Sequence, residues 1–113
     1  MRTVLILARE DLVAALLGLM VDLRGWQPTF VDKFENIDDA IGRARPAAVI
    51  IDCDHPECTE ELIEAIRRAV AIPILYSPFR MQTEVRAAAE RYGVRSFTLP
   101  TDPDTFGKMF EPD

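Results

Sequence analysis

Pro46-Ala47-Ala48-Val49-Ile50-Ile51-Asp52-Cys53-Asp54-His55-Pro56 is the stretch that decides the fold of this chain. Five apolar side chains in succession, Ala47 to Ile51, end in a carboxylate, and a proline stands four residues beyond it. An apolar run of this length without alternation reads as a central strand covered on both faces, as in a parallel sheet. Asp52 then stands at the strand's carboxyl end, where open α/β sheets collect their reactive groups.

On either side of this strand the chain alternates strand and helix. Residues 3–8 form an apolar run that reads as a first strand. From about Glu10 to Arg24, Leu12, Val13, Leu16, Leu17, Met20, Val21 and Leu23 recur at helical spacing, and Gly25 stops the helix. Gln27 to Phe34, with Phe30, Val31 and Phe34, fits a second strand at an edge. Asn36 caps a helix that has Asp38 and Asp39 in its first turn and Ile37, Ala40, Ile41 and Ala44 on its apolar face. Pro46 ends it.

Thr59 caps the next helix, whose expected buried stripe is Leu62, Ile63, Ile66, Ala69 and Val70. Ile74 to Ser77, between Pro73 and Pro78, is a fourth strand in which Tyr76 looks too large for complete burial. Gln82 to Tyr92 is an amphipathic helix stopped by Gly93, and Val94 to Leu99 a fifth strand. Asp102 to Phe110 closes the series as a short helix with Phe106, Met109 and Phe110 on its apolar face. Strand–helix units of this length predict a right-handed, three-layer α/β/α sandwich around a five-stranded parallel sheet.

At 113 residues and 49% hydrophobic content, the expectation is one domain, spanning 1–113, with a proper core. The net charge of −6, with no basic cluster longer than Arg67-Arg68, argues against a nucleic-acid partner. No apolar run is long enough for a membrane span, and the opening run meets Glu10 and Asp11 without a cleavage site, so a cytoplasmic location is expected. Two cysteines, Cys53 and Cys58, do not make a disulfide scaffold.

Asp52, Cys53, Asp54, His55 and Cys58 crowd potential metal ligands together, but their spacing matches no zinc pattern. Cys53 should point away from Asp52 if the strand pleat persists. His55 reads as a partly exposed loop residue titrating near neutrality if unperturbed. Ala8-Arg9-Glu10-Asp11 contains no glycine, which argues against a flavin or nucleotide loop. Trp26 reads as cover for an edge of the core. Arg67, Arg68, Arg80, Arg86 and Arg91 read as solvated helix-surface charges.

Taken in order, Pro46, Asp52 with Pro56 four residues on, and Gly93 followed by Phe97 and Pro100 resemble the receiver domain of two-component response regulators, the CheY-like superfamily. The resemblance covers essentially the whole chain. It implies the flavodoxin-like strand order 2-1-3-4-5, with Asp52 at the phospho-acceptor position of a phosphorelay. It also implies a protein partner, either a histidine kinase or a downstream regulator. Homodimerisation would use the face made by the fourth helix, the fifth strand and the last helix.

The departures from that family fall on its chemistry. The acidic pair that ends the first strand and holds Mg²⁺ is matched here by Ala8 and Arg9, with Glu10 and Asp11 displaced downstream. The hydroxyl at the end of the fourth strand is matched by Ser77, one residue early, or by Pro78, and the lysine of the fifth strand by Leu99. Phosphoryl transfer is mostly positioning and charge neutralisation, and Mg²⁺ wants near-octahedral oxygen ligands. Arg9 would instead bring a fixed cation to Asp52, within about 6 Å, in the bidentate geometry that guanidinium favours.

The expectation is therefore a pseudo-receiver acting by protein–protein interaction, not an enzyme and with no cofactor. Its crevice would be built from Ala8, Arg9, Glu10, Asp11 and Asp54 around Asp52. The alternative is a working phospho-acceptor, modified on Asp52 by a histidine kinase, with Mg²⁺ held by Glu10, Asp11 and Asp52.

Overall fold

The computed structural model describes residues 2–99 and 101–111. Strands and helices alternate without exception: β1 Thr3–Leu7, α1 Asp11–Leu23, β2 Gln27–Phe30, α2 Ile37–Ala44, β3 Ala48–Asp52, α3 Glu60–Arg68, β4 Ile72–Ser77, α4 Gln82–Tyr92, β5 Arg95–Thr98 and α5 Pro103–Lys108. The strands form one parallel sheet in the order β2-β1-β3-β4-β5. Sheet, order and layering agree with the sequence reading. Pro100, which carried part of the resemblance, lies outside the described residues.

The run through β3 does not alternate because both its faces are covered. Val49 and Ile51 join Leu5, Leu7 and Leu75 beneath Ala40 and Ile41 of α2, Leu62, Ile63 and Ile66 of α3 and Ala89 of α4. Ala48 and Ile50 point the other way, with Val4, Ile6, Ile74 and Tyr76, beneath Leu17 and Val21 of α1 and Phe106 and Phe110. On that second face an aromatic series closes the sheet. Tyr76 stacks on Phe97, with Phe106 edge-on to Phe97 and Phe110 edge-on to Phe106 at 5.0–5.7 Å between ring centroids. Trp26 sits half-buried against Phe110 at 5.3 Å.

Local chemistry sets the helix ends. Asn36 Oδ1 accepts from the Asp38 N–H at 2.7 Å, Thr59 Oγ1 from Leu62 N–H at 3.2 Å, and Asp102 Oδ1 from Thr105 N–H at 2.8 Å. Three helices close with the same paired turn, in which the second residue past the cap bonds back to the fifth residue before it and the intervening residue takes positive φ. After α1 and α4 that residue is Gly25 and Gly93; after α3 it is Val70, at φ +59°.

This turn corrects the reading of the third helix. α3 stops at Arg68, so Ala69 and Val70 leave the helix and are exposed, Val70 by 90%. Two strands also differ from expectation. β2 ends at Phe30, and Phe34 beyond it is 93% exposed. β4 begins early enough to include Pro73, because its nitrogen lies on the β5 side before β5 starts opposite Ile74, so no ladder bond is lost. Tyr76, which looked too bulky for burial, is wholly buried between Phe97 and the α1–α5 layer.

Candidate functional site

The carboxyl ends of β1, β3 and β4 meet in a crevice. Asp52, the last residue of β3, is only 2% exposed. Arg9, in the turn after β1, donates from Nε to Asp52 Oδ2 at 2.8 Å, and the Asp54 backbone N–H donates to Oδ1 at 2.8 Å. Both carboxylate oxygens are therefore engaged, one by a cation and one by the turn that follows the strand. The contact with Arg9 is not the bidentate fork expected from the residue types. Oδ1 is already taken by Asp54, and Arg9 Nη2 turns toward the Asp54 carboxylate at 3.9 Å.

A second arginine extends the pattern. Arg80, in the loop between β4 and α4, reaches the Asp54 carboxylate with Nε at 2.8 Å and Nη2 at 2.7 Å, and Glu84 on α4 with Nη1 at 3.0 Å. Ser77 positions that loop: its Oγ accepts the backbone N–H groups of Phe79 at 3.2 Å and Arg80 at 2.9 Å. The result is an alternating row of charge, Asp52–Arg9–Asp54–Arg80–Glu84, running from β3 to α4. The Arg80 guanidinium holds the Asp54 carboxyl below the usual carboxylate range, and the bond to Asp52 raises Arg9 further above its ordinary value.

The remaining candidates are placed as follows. Ala8 and Pro78 are half-buried, and Ala8 lines the same groove as Asp11. Leu99 is half-buried and packs with the α1–α5 core. Glu10 precedes α1 without making a side-chain cap bond, and Asp11 lines a separate acidic groove with Asp32, Lys33, Asp38, His55 and Glu57. Asp52, Asp54, Arg9 and Ser77 are thus drawn together, whereas Asp11 faces another groove. Arg80 was read from the sequence as a solvated helix charge. The one available signal was its place in a loop after a strand, at the same sheet end as Asp54.

Receiver folds imply a divalent ion in this crevice, and the residues present do not fit one. Mg²⁺ needs oxygen ligands without competing cations, whereas Asp52 already accepts one hydrogen bond on each oxygen, Asp54 is clasped by Arg80, and the Arg9 charge stands where a cation would. Asp52, Cys53 and Asp54 do offer ligand atoms within 4.8 Å of one another. Cys53 begins the turn after the strand and packs on the Val49–Ile51 face of the sheet, as the pleat predicts. Burial pushes the Cys53 thiol up, and the Cys58 thiol up to about 11, which disfavours the thiolates that bind soft metals. His55 Nδ1 accepts from the Glu57 N–H at 3.0 Å, and burial moves the ring's pKa down from neutrality, so it orders the turn.

No protein-family model matches the chain, and no curated protein matches it in sequence. Solved structures do match. The chemotaxis protein CheY4 of Vibrio cholerae is 17% identical, with TM-score 0.72 over 96% of this chain and 94% of that one. A response regulator receiver protein from Burkholderia phymatum is 19% identical, with TM-score 0.73 over 94% and 89%. The receiver domain of the sensor histidine kinase PA1611 of Pseudomonas aeruginosa, solved with magnesium coordinated in its active-site cleft, is 16% identical, with TM-score 0.72 over 96% and 93%. At this identity the likeness is one of fold: the chain has the CheY-like architecture of response-regulator receiver domains.

Proposed function

We propose that this protein is an atypical receiver module that takes part in signal transduction by binding a protein partner, without a Mg²⁺-dependent aspartyl-phosphate cycle. The observation that carries this reading is the Arg9 Nε–H bond to Asp52 at 2.8 Å. A cation supplied by β1 occupies one oxygen of the phospho-acceptor position, and the Asp54 N–H occupies the other. Ala8 and Arg9 stand where the resemblance asks for metal-binding carboxylates, and Leu99 where it asks for a lysine. Ser77 spends its hydroxyl's acceptor capacity on the β4–α4 loop. Coupling from Asp52 to α4 would therefore run through fixed ion pairs and not through a sensed phosphoryl oxygen.

The partner would be a histidine kinase or a downstream regulator that meets the carboxyl end of the sheet. That end exposes Phe34, Phe79 and Met81 around the Arg9–Asp54–Arg80 row, and aromatic, methionine and arginine side chains are enriched at interfaces. A homodimer across α4, β5 and α5 would rest on Gln82, Thr83, Arg86, Ala87, Glu90 and Arg91, since Phe106 and Phe110 are buried as cover for the sheet.

The test is incubation with a small phosphodonor and Mg²⁺, read by intact mass. The expected result is no adduct. A stable gain of about 80 Da, lost in Asp52→Asn and accompanied by a change in oligomeric state, would overturn the reading in favour of a working phospho-acceptor.

A further inference from the structure

At the other end of the sheet from Asp52, a basin lies beneath the amino ends of β3, β4 and β5 and opens to solvent. Its volume is about 780 Å³. Arg2, Arg67 and Arg95 line it, and among the described residues no Asp or Glu does. In a chain of net charge −6 this is a local reversal of sign. Val70, Ile72 and Val94 add an apolar wall that stays open to water. A concavity of roughly 300–1,000 Å³ with apolar walls and a few convergent charges is the usual form of a small-molecule site.

The arginines are held in place by groups that carry no opposing charge. Arg67 Nη2 donates to the carbonyls of Tyr92 at 2.8 Å and Gly93 at 3.0 Å, and its Nη1 to Glu64 at 3.1 Å. Those bonds use three of the five guanidinium donors, so two remain for a ligand. The Glu64 pair is solvent-exposed and therefore weak. Arg95 Nη1 donates to the carbonyls of Met109 and Glu111, and Arg2 lies over the Trp26 ring at 5.3 Å. Val70 is an independent sign. It stands at φ +59° and is 90% exposed, so it bears backbone strain without gaining any packing. Strain of this kind collects at binding sites, and here the strained side chain belongs to the wall of the basin.

We infer that this basin binds a small organic phosphate monoester, with Arg2 and Arg67 on the phosphate and the apolar wall against the body of the molecule. A monoester is close to dianionic at neutral pH, which answers clustered arginines better than a single carboxylate does. Guanidinium also matches phosphate oxygens in pairs. The basin makes no use of Asp52, Arg9 or Arg80. It therefore stands or falls apart from the reading of the crevice.

Amide NMR titration of the full chain decides the matter. Phenyl phosphate should shift the Val70, Gly93 and Val94 amides saturably, with a dissociation constant below about 1 mM and about tenfold tighter than that of inorganic phosphate. Phenylacetate, with one charge, should bind at least about fivefold more weakly than phenyl phosphate. Arg2→Gln with Arg67→Gln should weaken phenyl phosphate at least about tenfold. Arg68→Gln, next along α3 but outside the basin, should bind as the wild type does. If the double variant fails to fold, Val70→Gly takes its place: it should weaken phenyl phosphate and leave inorganic phosphate unchanged. Shifts that never saturate overturn the inference, as does equal affinity for inorganic phosphate, which would mean an adventitious ion only. Equal affinity for phenylacetate, binding indifferent to the two arginines and to Val70, or loss of binding in Arg68→Gln overturns it as well.

Discussion

Arg9 holds Asp52 through a single nitrogen, Nε to Oδ2 at 2.8 Å, and the other end of its guanidinium leans toward Asp54 at 3.9 Å. Asp52 is almost wholly buried while Arg9 remains partly exposed, so the carboxylate depends on the arginine more than the reverse. Removing one partner of such a contact leaves a buried charge uncompensated, a larger loss than the contact itself represents.

This asymmetry predicts the behaviour of Ala8→Asp with Arg9→Asp, which returns an acidic pair to the end of β1. The variant should unfold at lower temperature than the wild type in the absence of divalent ions. It should then recover as Mg²⁺ is added, because binding to the folded state alone stabilises it. The wild-type melting temperature should not respond to Mg²⁺. An equal response from both proteins in calorimetry would show that Arg9 does not exclude the ion.

Tyr76 offers a stability test free of the crevice. Its hydroxyl is buried with no hydrogen-bond partner among the described residues, and burial pushes its pKa above the ordinary tyrosine value. A hydroxyl taken from water without compensation costs about 1–3 kcal/mol. Tyr76→Phe keeps the stack on Phe97 and removes that cost. Urea denaturation should show the variant to be more stable by about 1 kcal/mol; a loss of stability would mean that the hydroxyl has a partner.

Val70 occupies the left-handed position that glycine fills after α1 and α4. A β-branched residue there is strained, and Val70 is too exposed to recover the cost by packing. Val70→Gly should therefore stabilise the protein by about 0.5–1 kcal/mol, opposite in sign to the usual effect of introducing glycine. The same substitution at Val94, after the turn, should not.

Acid sensitivity has an identifiable contributor in the β2–α2 turn. Arg43 donates to both oxygens of Glu35 at 2.8 Å and to the Phe30 carbonyl at 2.9 Å. The Arg43 hydrogen bond, with a lesser one from the Asp32 N–H, lowers the Glu35 pKa from 4.5 to about 2. Because the folded value lies below the unfolded one, the stabilisation is complete above pH 4.5 and is lost as pH falls toward 2. Arg43→Ala should bring the carboxyl back toward its ordinary range in an NMR titration and flatten the stability slope across that window. A Glu35 titration unchanged by Arg43→Ala would refute the assignment.

What was legible in the sequence was what local chemistry decides. The apolar run into Asp52, the caps Asn36 and Thr59 and the stop at Gly93 each depend on a few neighbouring residues, and each is where the pattern puts it. Contacts between distant loops were not legible. Nothing near Arg80 announces Asp54, 26 positions earlier, because only the closing of the sheet brings the two turns to one end. Helical spacing in α1 marked apolar positions on both sides of the helix without saying which side meets the sheet. The fate of Val70 turned on how the chain enters β4, and that of Tyr76 on the space between Phe97 and Phe106, neither of which periodicity encodes.

Arg9 is a counter-ion covalently tied to the carboxylate it neutralises. A diffusing cation at such a position follows a binding isotherm, so the crevice would exist as a mixture of filled and empty molecules set by the surrounding concentration. Tethered on the turn after β1, the guanidinium is present in every copy and in every ionic milieu. A crevice of this kind carries its counter-ion at any concentration of free cations.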